Sequence, residues 1–88
     1  MGLTPPLPHH HVCRLYPNPV SRVLKIEGGS KKIREIVGLN AFGQEVFRQA
    51  FEVDKVQVDV SSFPAGTYIF RILMEDYTAE IKRLVKGN

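Results

Sequence analysis

Eighty-eight residues, 43% hydrophobic and 24% charged with a formal net charge of +3, suit one small globular domain. A chain of this length buries only about 60–65% of its unfolded surface, which argues against a deep catalytic cleft. The basic excess is small and dispersed, whereas nucleic acid needs several basic side chains aligned on one face, so no nucleic-acid partner is expected.

Residues 1–14 read as a flexible linker or tag remnant, with Pro5, Pro6 and Pro8 followed by His9, His10 and His11. Proline fixes φ and lacks an amide donor. Adjacent histidines do not converge on one ion without a preorganised backbone, so no metal or cofactor is expected. Met1 to Pro8 has neither a basic n-region nor an apolar h-region, so were the chain exported, its signal would be expected upstream on a longer precursor. No apolar run approaches the roughly 18–20 residues that cross a bilayer, so no direct membrane span is expected. Cys13, the single cysteine, precludes an internal disulfide and reads as a bystander thiol of the leader.

From Leu15 the pattern changes to short β-type runs between turn signals. Leu15-Tyr16 leads into the rigid turn Pro17-Asn18-Pro19, and residues 20–27 form a strand closed by Gly28-Gly29-Ser30. Residues 33–40 and 45–51 are predicted as a hairpin whose tight connection, residues 41–44, places Gly43 at positive φ. Val56, Val58 and Val60 alternate with polar residues, the period of a half-buried strand. The turn Ser61 to Gly66 precedes a strand over 67–74, and a hairpin turn at Glu75-Asp76 returns the chain over 77–86.

About seven short strands at this spacing predict an all-β fold, an immunoglobulin-like β-sandwich of antiparallel strands over residues 15–88. The expected core is Leu24, Ile26, Ile36, Val46, Val56, Val58, Val60, Tyr68, Phe70, Ile72 and Ile81. Lys31 to Val37 is nearest to a helical period, but β-branched Ile33, Ile36 and Val37 favour a strand.

Catalytic templates do not assemble on this frame. Every histidine precedes the predicted strands, and Cys13 shares that flexible segment with His11, so nucleophile and base are not held in reach. The acidic pairs Glu52/Asp54 and Glu75/Asp76 fall at turns, where carboxylates stay solvated, unlike a glycosidase pair with one buried member. Gly28-Gly29-Ser30-Lys31-Lys32 lacks phosphate-loop spacing and reads as a basic hairpin turn. The aromatic residues sit among β-branched neighbours as core partners, and without tryptophan a stacking platform is not indicated. No enzyme activity is expected.

The order of the turn motifs carries a resemblance. Leu15-Tyr16-Pro17-Asn18-Pro19, a strand ending at Gly28, Asn40-x-x-Gly43-Gln44-x-Val46 and the run from Val58 to Tyr68 appear in series. With the basic-apolar terminus Ile81-Lys82-Arg83-Leu84-Val85-Lys86, the series resembles the type IX secretion C-terminal sorting domain from Leu15 to Lys86. Within it, Pro17, Asn18, Pro19, Gly43, Pro64, Gly66 and Tyr68 have structural roles. The prolines guard a sheet edge, Gly43 serves a turn, and Tyr68 is set for a tyrosine corner. Gly38 departs from the family's apolar residue, so its strand is expected to be weakened or bulged there.

The resemblance implies a non-catalytic signal that directs an upstream cargo domain, joined in cis, through the type IX outer-membrane translocon. Such domains travel by way of the periplasm to the cell surface or medium of Bacteroidota-type bacteria. A sortase-like surface protease then usually removes them near Leu15 and the preceding linker, and some cargo is joined to lipopolysaccharide. The implied recognition residues are Ile81, Lys82, Arg83, Leu84, Val85 and Lys86, docking by edge augmentation. The alternative is an immunoglobulin- or fibronectin-like adhesive or carbohydrate-binding module, which needs an exposed aromatic groove or calcium site.

Overall fold

The computed structural model describes residues 13–87. The histidine run lies outside the described residues. Seven strands follow in chain order: β1 (Arg14–Tyr16), β2 (Val23–Glu27), β3 (Ile33–Leu39), β4 (Glu45–Val53), β5 (Lys55–Asp59), β6 (Gly66–Met74) and β7 (Ala79–Lys86). All ladders are antiparallel, and they form two sheets with strand orders β1-β2-β5 and β4-β3-β6-β7. The fold is the expected all-β sandwich.

Strand alternation builds the core. On β6, Tyr68, Phe70, Ile72 and Met74 point inward, and Leu24 and Ile26 meet them from β2, with Val56 and Val58 from β5. Burying each such side chain is worth about 1.5–3 kcal/mol relative to exposure. β4 stays beside β3 because the connection is tight. Asn40 accepts at Oδ1 from the amides of Phe42 and Gln44, both at 2.9 Å, while Gly43 takes φ 81° and donates to the Asn40 carbonyl. The chain changes sheets at Asp54, whose carbonyl accepts from the Gly28 amide at 2.8 Å.

Two expected core residues lie outside the core. Val46 is 39% exposed because the β3–β4 register slips beside it, turning Phe47 inward instead. Ile81 is 61% exposed because the inward phase of β7 is set by the fully buried Leu84. Conversely, Cys13 is no flexible bystander. It is 2% exposed, with Sγ 3.5 Å from Met74 Sδ and its amide donating to the Glu80 carboxylate at 3.1 Å. Burial, with Glu80 nearby, pushes its thiol pKa up to about 11. Val20, Ile33, Val37, Met74 and Leu84 complete the buried set.

Strand ends differ in two places. Val20 forms an isolated parallel bridge with Lys86, and β2 starts only at Val23. Tyr77 belongs to the β6–β7 turn at φ 68°, which ends the extended conformation expected from that residue. The irregularity expected at Gly38 is present as a register shift between Gly38 and Leu39. The glycine also leaves room for an aromatic ring, since a Cβ there would sit 2.9 Å from Phe70 Cζ.

Candidate functional site

The two charged turns singled out in the sequence meet each other. Lys31 Nζ lies 2.7 Å from the Asp76 carboxylate, the Lys32 amide donates to Glu75 at 3.0 Å, and the Glu75 amide donates to the Lys32 carbonyl at 2.9 Å. Lys31, followed by the Thr78 hydroxyl and amide, holds the Asp76 carboxyl well below its ordinary range. Complementary charge at two turns was the sequence signal for this contact, but nothing local showed that the turns would be neighbours. They clip one end of the sandwich. Glu52 is exposed on the β4 margin, and Asp54 takes part through its backbone. Among the described residues, no cluster of three or more His, Cys, Asp or Glu side chains converges on a metal position.

Among the described residues, two aromatics are exposed. Phe42 is 89% exposed on the β3–β4 turn, beside a groove of about 280 Å³ lined by Asn40, Val46, Pro64 and Tyr68 among others. Tyr77 is 67% exposed, with the Arg34 guanidinium 4.6 Å from its ring centroid. The β3–β6 register puts these turns at opposite ends of the sheet, so the rings share no stacking platform. This arrangement does not favour the carbohydrate-binding alternative.

The motif residues before β6 build a corner. Pro64 precedes Gly66 at φ 150°, and the hydroxyl of the buried Tyr68 donates back to the Pro64 carbonyl at 2.5 Å. Its ring packs on Phe63, with centroids 5.3 Å apart. This is the geometry of a tyrosine corner. Lys86 locks the same corner from β7. Only 6% exposed, it donates from Nζ to the carbonyls of Phe63 at 3.1 Å and Gly87 at 3.0 Å.

Alternation divides the six terminal residues implicated by sequence. Leu84 and Lys86 face inward and are unavailable to a partner of the folded domain. Lys82 is half-buried and lies 3.5 Å from the Glu80 carboxylate. Ile81, Arg83 and Val85 face outward. Their β6 partners across the ladder are Arg71, Ile69 and Thr67, which gives an outer patch alternating arginine with aliphatic side chains. Arg48, on the same sheet, is paired with both Glu35 and Glu45. Arg71 and Arg83 form no ion pair among the described residues. Sequence reasoning missed Arg71 and Ile69, which only the β6–β7 register places beside the terminal strand.

Both margins of the larger sheet are modified. Two register shifts interrupt the pairing of β4 with β3, and such irregularities discourage strand addition. β7 is covered along its last residues by the segment between β1 and β2. The Asn18 side chain accepts from the Val85 amide at 2.9 Å and donates to the Arg83 carbonyl at 3.2 Å. Val20 donates to the Val85 carbonyl at 2.9 Å and accepts from the Gly87 amide at 2.8 Å. Pro17 and Pro19, each after a cis peptide bond, flank Asn18.

Among solved structures, the chain is similar to the crystal structure of CopC from Methylosinus trichosporium OB3b, at 17% identity and a TM-score of 0.49. That likeness covers 85% of this chain and 91% of the other. No curated protein sequence matches. The family model described as the secretion system C-terminal sorting domain matches residues 14–87, from the first residue of β1 to beyond the last of β7. With the motif series, the corner at Tyr68 and the closing strand β7 in place along that span, the chain belongs to the secretion system C-terminal sorting domain family.

Proposed function

We propose that this domain is a non-catalytic signal that delivers a cargo joined upstream of it to the type IX outer-membrane translocon, for release at the cell surface or into the medium. The observation that carries the reading is the family match over residues 14–87. The outward patch on β6 and β7 supports it, because a translocon component can read Ile81, Arg83 and Val85 without unfolding the domain. A sortase-like protease that leaves the sandwich intact cuts before Cys13, whose amide and side chain are anchored in the fold.

The test is gain of export. A periplasmic reporter fused ahead of the 88-residue chain is expected at the surface or in the medium of a type IX-competent bacterium, and in the periplasm of a strain without the translocon. Retention in both strains would contradict the proposal.

A further inference from the structure

Strand addition uses the outward backbone groups of a marginal strand. Arg83 and Val85 turn theirs toward Asn18 and Val20, so in an antiparallel ladder their even-numbered neighbours are the ones bonded to β6. The outward groups of β7 then fall into two sets. The Arg83 carbonyl, both groups of Val85 and the Gly87 amide are occupied by Asn18 and Val20. Both groups of Ile81 and the Arg83 amide have no partner among the described residues.

The covering segment ends the sheet rather than extending it. Pro17 and Pro19 carry no N–H, so its far side offers few donors for a further strand. Its attachment is uneven: Asn18 is exposed and held by its side chain, whereas Val20 is fully buried. Tyr16, paired with Lys25, and Val20 anchor its two ends, so only the Asn18 side chain holds the exposed middle, the arrangement of a loop that can bow outward.

We propose that Pro17–Pro19 is a displaceable guard on β7: Asn18 lifts away while Val20 and the sandwich stay in place, so that the Arg83 carbonyl and the Val85 amide join the open groups of Ile81 and the Arg83 amide in receiving one extended partner strand. Arg83 and, across the ladder, Arg71 form no ion pair among the described residues and make the outward face beside β7 basic, whereas Lys82 is paired with Glu80. The strand that fits therefore carries acidic side chains among apolar ones. The partner's biological role rests on the sorting reading; the opening itself rests only on the hydrogen bonds.

Two measurements on the purified 88-residue chain test this, and neither needs export. In native-state amide exchange, Val85 is expected to exchange at least about tenfold faster than Leu84, by an opening insensitive to low denaturant. Equal rates with equal denaturant dependence would mean that the segment opens only on global unfolding, and would overturn the guard. In NMR titration with an end-blocked eight-residue peptide alternating valine and glutamate, the shifted amides are expected to be those of Ile81, Arg83 and Val85. Asn18→Ala is expected to bind at least about tenfold more tightly, since two hydrogen bonds no longer hold the guard. Equal affinity of the two chains, shifts elsewhere, or equal binding of the same peptide with lysine for glutamate would overturn it.

Discussion

Three residues show how single atoms hold this sandwich. The Tyr68 hydroxyl donates to the Pro64 carbonyl across the corner before β6, so Tyr68→Phe is expected to lower stability by about 0.5–1.5 kcal/mol in denaturant unfolding. Gly38 gives its missing Cβ position to the Phe70 ring. Gly38→Val is therefore expected to cost about 1–3 kcal/mol by overpacking, despite valine's preference for strands. Cys13 is buried, with its thiol pKa raised to about 11. Alkylation near pH 8 is expected to be slow in the folded chain and fast in denaturant, as followed by mass spectrometry.

At the scale of the element, β7 is two strands in one. Its inward residues close the core and lock the corner at Phe63, and its outward residues present the patch. Leu84→Ala is expected to cost about 2–5 kcal/mol, whereas Ile81→Glu is expected to change stability by less than about 0.5 kcal/mol. Thermal or denaturant unfolding of the two variants checks this asymmetry. Removing residues 81–88 altogether would take Leu84 with them and confuse loss of signal with loss of fold. The phase of β7 was hard to read in the sequence because both of its faces carry apolar and basic residues: Ile81 and Val85 on one, Leu84 on the other. In β6 the phase was legible, and Met74 follows from the alternation of Tyr68, Phe70 and Ile72 carried one step further. Val46 misled because a register slip, which leaves no mark in composition, reset the phase of β4.

Across the whole molecule, turns distant in sequence fasten the sandwich ends. The Lys31–Asp76 pair and the Lys32–Glu75 bonds join the β2–β3 and β6–β7 turns. Asp76 is held below its ordinary value of 3.8, chiefly by Lys31. Its contribution is therefore present above that pH and lost as the pH falls through the lower folded-state value. Glu27, Glu45 and Asp59 are lowered as well, chiefly by hydrogen bonds from Tyr16, Arg48 and Ser61, so they act in the same direction. The melting temperature is expected to drop as the solution is acidified below about pH 4, and to drop less steeply in Asp76→Asn. The strand-and-turn series and sandwich class were legible because each turn carries its own chemistry. The partnership of the turns, the cover over β7 and the contribution of β6 to the patch depend on which elements lie side by side, and short-range pattern does not encode that.

On the proposed function, the signal is read from the outward face of β7 on a folded domain. The most direct test is export of a reporter fused ahead of this chain in a type IX-competent bacterium, comparing the wild type with Ile81→Glu/Arg83→Glu. The double variant is expected to keep the wild-type melting temperature within a few degrees while the reporter stays in the periplasm. Wild-type export by a folded double variant would contradict the claim.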